Sequence, residues 1–89
     1  MKKVIVTVTE ERGSFTCDME LPVGQPGGRL MQDMTEVLNE CRPGTVLDAA
    51  DYCLYLNRAG RRLTEGESLS EAGVRNGDRI TIVSKRREA

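Results

Sequence analysis

Between residues 28 and 41 the apolar side chains Leu30, Met31, Met34, Val37, Leu38 and Cys41 recur at the 3.6-residue period of an α-helix. Gln32, Asp33, Thr35, Glu36, Asn39 and Glu40 fall on the opposite side, and Pro43-Gly44 ends the run. A helix over residues 28–41 is about 21 Å long at ~1.5 Å rise per residue, enough to cross one small sheet diagonally. Its single apolar stripe has to be buried against something, and the rest of the sequence offers strands. At 89 residues the chain suits one domain with a modest core. With no Trp, one Phe and two Tyr, that core is aliphatic.

Val4-Ile5-Val6-Thr7-Val8-Thr9 is β-branched throughout and reads as a strand with Val4, Val6 and Val8 facing the core. Arg12-Gly13-Ser14 turns the chain. Phe15, Cys17, Met19 and Leu21 then alternate with polar residues, so the two runs form a hairpin with a loop longer than two residues. After the helix, Thr45 to Asp51 is a loop. Tyr52 to Asn57 is a strand with Leu54 and Leu56 inward, and Arg61-Arg62-Leu63 pairs briefly beside it. Ser68 to Gly73 suits a single helical turn, capped by Ser68 and stopped by Gly73. Asn76-Gly77-Asp78 is a tight-turn signal leading into a last strand, Arg79 to Ser84, with Ile80 and Ile82 inward. The order is β-β-α-β-β-turn-β. The expected class is α+β, a mixed five-stranded sheet with the helix packed on one face and the first and last strands as central neighbours.

Several chemistries lack their residues. There is no His, so Ser-His-Asp and Cys-His arrangements are excluded within this chain, and no catalytic residue is assigned. Cys17, Cys41 and Cys53 are widely spaced with no Cys-x-x-Cys pair. They read as small hydrophobes in a reducing compartment, and no metal site is expected. The glycines of Pro22 to Gly28 match neither G-x-G-x-x-G nor the P-loop spacing, so no nucleotide or other cofactor is expected. A formal net charge of −1 gives no general pull toward nucleic acid or anionic membrane. No apolar stretch approaches the roughly 20 residues that span a bilayer, so no membrane insertion is expected. The first strand begins almost at once, which favours a cytoplasmic protein over one with a signal peptide.

The segment from Leu63 onward reads L-x-x-G-x-x-L-S-x-x-x-V-x-x-x-x-x-I-x-I, carried by Leu63, Gly66, Leu69, Ser70, Val74, Ile80 and Ile82. This spacing resembles ubiquitin and its β-grasp relatives. With the alternating opening strand and "GVRNGDRITI", the chain is most similar to the YukD/EsaB family, ubiquitin-like proteins of type VII (WXG100) secretion systems in Gram-positive bacteria. The resemblance covers nearly the whole chain. It implies a cytosolic accessory subunit, monomeric or weakly dimeric, that docks to a cytosolic domain of a membrane secretion component and is held by that partner at the inner face of the membrane. Residues 1–84 are expected to form the ubiquitin-like domain and 85–89 a short basic tail. In ubiquitin and the sulfur carriers a terminal Gly-Gly enters the activating enzyme. Here Glu88-Ala89 stands in that place, so activation at this terminus is not expected.

Two surfaces are candidates for docking. The sheet face away from the helix should carry Ile5, Thr7, Tyr55, Thr81 and Val83, with Arg79 and Lys85 at its rim. Its aromatic and aliphatic centre within a charged rim suits a protein partner, while a simply solvated face is the plain alternative. The second surface is basic: Arg58, Arg61 and Arg62, with Lys85, Arg86 and Arg87. These residues either meet an acidic partner or protect a short edge strand from aggregation. Two other functions remain on the sequence: a ubiquitin-like or sulfur carrier activated at its C-terminus, and a small nucleic-acid-binding regulator using the arginines.

Overall fold

A computed structural model describes residues 2–41 and 47–85. Its strands are β1 (Lys3–Glu10), β2 (Thr16–Pro22), β3 (Tyr52–Leu56), β4 (Arg61–Arg62) and β5 (Arg79–Ser84), with one helix, α1 (Gly27–Cys41), and a 3₁₀ turn at Ala49–Asp51. The sheet order is β2-β1-β5-β3-β4. β1 and β5 run parallel at the centre, and the other pairs are antiparallel. This is the expected ubiquitin-like β-grasp, with α1 laid across one face.

The alternation read from sequence sets the burial. Val4, Val6 and Val8 of β1, Leu54 and Leu56 of β3, and Ile80 and Ile82 of β5 all point toward α1 and are buried. Leu30, Met31, Met34 and Leu38 meet them from the helix. Leu69, fully buried, fills the space under the chain between β4 and β5.

The helical stripe is rotated from its expected position. Val37 is 46% exposed and Cys41 is also exposed, whereas Thr35, expected on the solvent side, is buried. The arc that meets the sheet is therefore centred nearer Met31 and Leu38. Thr35 tolerates burial because its hydroxyl donates to the Gln32 carbonyl at 2.9 Å. Val37 is left at the margin because it overlies β2, the outermost strand, with no further strand beyond it. Asn39, also expected outward, makes two bonds to Leu47. Its amide donates to the Leu47 carbonyl at 2.9 Å and its oxygen accepts the Leu47 N–H at 2.8 Å. Those bonds tie the returning chain to the helix and seat Leu47 in the core.

Side chains organise the turns. In the β1–β2 loop, the buried Glu10 carboxylate accepts from the Arg12 N–H at 2.9 Å, the Ser14 hydroxyl at 2.9 Å and the Ser14 N–H at 3.3 Å. Ser68 caps its turn as expected. Its hydroxyl accepts the Glu71 N–H at 3.1 Å, while Glu71 reaches back to the Ser68 N–H at 2.9 Å, a reciprocal capping box. Gly73, at φ +76°, ends that turn in the left-handed region.

The start of α1 is closed in a less common way. No Ser, Thr, Asp or Asn precedes it. Instead the N–H groups of Gly27 and Gly28 donate to the carbonyls of Glu67 (2.8 Å) and Glu65 (3.0 Å), so the loop after β4 caps the helix. That approach needs a glycine, since a Cβ on Gly27 would overlap the Thr64 carbonyl oxygen.

Candidate docking surface

The sheet face opposite α1 is described by its register. One row crosses it as Thr16–Thr9–Thr81–Tyr55–Arg62. The next row holds Asp18, Thr7 and Arg79. Tyr55 and Thr81 are direct cross-strand neighbours, as expected for parts of one surface. Thr7 is one row away. Ile5 and Val83 lie toward opposite ends: Ile5 is level with Gly77 and Val83 with Glu11, six residues further along. At ~3.3 Å per residue they are about 20 Å apart. Ile5 is 52% exposed, while Thr7, Tyr55, Thr81 and Val83 are half-buried by their neighbours.

The middle of this face is therefore hydroxyl-rich, not aliphatic. Thr81 donates to the Asn57 side-chain oxygen at 2.8 Å, Thr7 donates to Asp18 at 2.9 Å, and the Thr9 and Thr16 hydroxyls lie 3.4 Å apart. Thr9, outward on β1 with Ile5 and Thr7, and Thr16, outward on β2, complete this row although neither belongs to the expected docking set. Only the register brings them next to Thr81 and Tyr55. Ile5 is pinned from below: its N–H donates to Asn76 Oδ1 and its carbonyl accepts from the Gly77 N–H, both at 2.8 Å. Gly77 makes this turn at φ +87°.

The arginines separate into different roles. Arg62 stands across from Tyr55 and joins the open face. Arg61 pairs with Leu56 and so projects to the helix side. There it makes a bidentate pair with Glu67, at 2.8 and 2.7 Å, which also steadies the loop that caps α1. Arg58 grips Asp78 at 3.0–3.2 Å and donates to the Gly73 carbonyl at 2.6 Å, joining the β3–β4 turn to the turn before β5. Asp78 also accepts the Arg75 N–H at 3.1 Å. Hydrogen bonding from Arg61 holds the Glu67 carboxyl below its ordinary range, and Arg58 does the same for Asp78. Both guanidiniums are shifted upward in turn. Lys85 lies 3.4 Å from Glu65. Arg86 and Arg87 lie outside the described residues. The expected basic cluster is thus divided, with Arg58 and Arg61 tying loops within the domain. The acids that divide it, Glu67 and Asp78, lie 6 and 20 residues from their arginines and carry no local sign of the pairing.

Among the described residues no group of Cys, Asp and Glu side chains is arranged to hold a metal ion. No helix there is long and apolar enough to cross a membrane. What the open face offers is one aromatic side chain, a row of hydroxyls and flanking guanidiniums, a set suited to hydrogen bonding and stacking against another protein.

Residues 3–82 match the family model described as "WXG100 protein secretion system (Wss), protein YukD". The fold is similar to the ubiquitin-like domain of the Mycobacterium tuberculosis type VII secretion system protein ECCD1, at TM-score 0.72 and 26% identity, covering 94% of this chain and 100% of that one. The EccD5 ubiquitin-like domain from Mycobacterium xenopi superposes at TM-score 0.75 with 20% identity, covering 94% and 96%. Caldiarchaeum subterraneum ubiquitin superposes at TM-score 0.73 with 16% identity, covering 99% and 100%. No curated protein matches the chain by sequence.

Proposed function

This chain belongs to the YukD family of the WXG100 protein secretion system, and on that premise we propose that it is a non-enzymatic, cytosolic docking subunit of such a system. The observation that carries the reading is the family match over residues 3–82, which takes in the helix and all of the sheet but the last two residues of β5. The similarity to ubiquitin-like domains of secretion proteins supports a role beside membrane components of the machine.

Docking uses the open sheet face, with Tyr55 as its anchor. Thr81, Thr7 and Arg62 supply hydrogen bonds around it, and Ile5 and Val83 mark the two ends of the contact. The partner is a cytosolic domain of a membrane secretion component, which brings this chain to the inner membrane face.

Calorimetric titration of the purified protein against the cytosolic domains of the cognate membrane components tests this. Truncating a buried aromatic anchor weakens binding by about tenfold or more, so Tyr55→Ala is expected to do so, and Val83→Asp to weaken it by a similar factor. Full affinity in both folded variants would remove the sheet face from the interaction.

A further inference from the structure

β2 is an edge strand, paired only with β1. In an antiparallel pair, residues whose peptide groups bond the neighbour alternate with residues whose peptide groups face away. Glu10 N–H bonds the Phe15 carbonyl and Val23 N–H bonds the Lys2 carbonyl. In the β1–β2 register this turns Cys17, Met19 and Leu21 toward β1. The peptide N–H and C=O groups of Thr16, Asp18 and Glu20 therefore point outward along the free edge. Pro22 ends the run without a donor.

On the helix side of this edge is a groove of about 360 Å³ between β2 and α1. Met19, Leu21, Leu30, Met34 and Val37 supply its apolar wall. Val37 and Ile5 are the exposed large hydrophobics among the described residues, and Val37 is the one in this groove. On the other side of the edge, the side chains beside the outward peptide groups are Asp18 and Glu20, with Asp33 on the helical rim. Their neighbouring cations are few and exposed: Lys3 lies 3.6 Å from Glu20 and Arg29 lies 3.4 Å from Asp33.

We propose that the β2 edge and the β2–α1 groove together receive an extended segment of another protein in which aliphatic residues alternate with Lys or Arg. A strand added to β2 places every second side chain opposite Asp18 and Glu20 on the open face, and the intervening ones over the groove. Basic residues in the first set meet carboxylates. Aliphatic residues in the second set bury against Met19, Met34 and Val37. A second copy of this chain fits poorly. Fully overlapped antiparallel pairing of two β2 strands places Asp18 opposite Glu20 twice, and directly opposed like charges destabilise a sheet. This surface adjoins the docking face where Thr7 meets Asp18, but Tyr55 lies on β3, away from β2, so Tyr55→Ala should leave binding at the β2 edge unchanged and the two readings can fail separately.

The test uses an end-capped peptide, Lys-Val-Arg-Ile-Lys-Val-Arg, titrated into the isotope-labelled protein while amide shifts and hydrogen exchange are followed. Slowed exchange at the Asp18 and Glu20 amides is expected, with shifts at Met34 and Val37. A control peptide with Glu at each basic position should bind at least tenfold more weakly. Val37→Asp, on an exposed helix position, and the double variant Asp18→Lys/Glu20→Lys should each weaken binding at least tenfold while keeping the native spectrum. Equal binding of both peptides, unprotected Asp18 and Glu20 amides, or full affinity in the folded variants would overturn the proposal. So would concentration-dependent dimerisation through β2 that the basic peptide fails to displace.

Discussion

At one edge of the sheet β4 contributes two residues, and at the other β2 contributes seven. The β4 edge is shut by its own chain. Arg61 turns to the helix side, clasps Glu67, and two carbonyls of the loop so held accept the N–H groups at the start of α1. The β2 edge carries outward peptide groups, an apolar groove and carboxylates. A single fold thus handles exposed strand edges by two means: brevity with covalent continuity at one, and like charge at the other. The first means makes the edge part of the core's support. The second leaves it available, and selective for the sign of what approaches.

The contrast can be broken most forcefully on the closed side. Leu69→Ala, which removes a fully buried side chain beneath the β4–β5 connection, should lower unfolding stability by about 2–5 kcal/mol in urea titration. Gly27→Ala should cost about 1–3 kcal/mol, because the added methyl meets the Thr64 carbonyl and forces helix and loop apart. Glu67→Gln leaves the core intact. Its expected mark is local: faster hydrogen exchange at the Gly27 and Gly28 amides with a melting temperature close to that of the native chain.

Acid acts on the same clasp. Glu67 and Asp78 have folded pKa values below their unfolded ones, so each contributes stability above the unfolded value of about 4 and loses it as pH falls through the lower folded value. Protection at Gly27 and Gly28 should therefore be level above about pH 5 and fall below pH ~4. Glu67→Gln should flatten that dependence. The smallest effect belongs to the open edge: Glu20→Lys, with no structural duty beyond an exposed pair to Lys3, should change stability by under about 0.5 kcal/mol. A large loss there would mean that β2 supports the fold as β4 does.

The sheet was legible because its strands repeat a strict inward alternation, and the order of elements left one economical arrangement for a single helix. Ser68, Gly73 and the Asn76-Gly77-Asp78 turn were readable because their conformations need those residue types. Rotation of α1 was not readable. Val37 and Thr35 differ in burial only because β2 is outermost, and strand order is a long-range property. For the same reason five outward residues looked like one patch, although Ile5 and Val83 lie at opposite ends. The arginines looked like a cluster because proximity in sequence hides which side of a strand each residue takes. The need for glycine at position 27 was not readable, since nothing nearby in sequence announces that Thr64 will arrive against it.

The position of β5 has a consequence for biosynthesis. This strand lies between β1 and β3, although it is the last of the five in chain order. A nascent chain that stops short of Arg79 holds the β1–β2 and β3–β4 pairs with no strand hydrogen-bonded between them. Val6 and Leu54, buried in the finished domain, then lack the neighbours Ile80 and Ile82 that seal them. The complete sheet can therefore form only after residues 79–84 emerge from the ribosome, and until then α1 and the loop that caps it are the link between the two strand pairs.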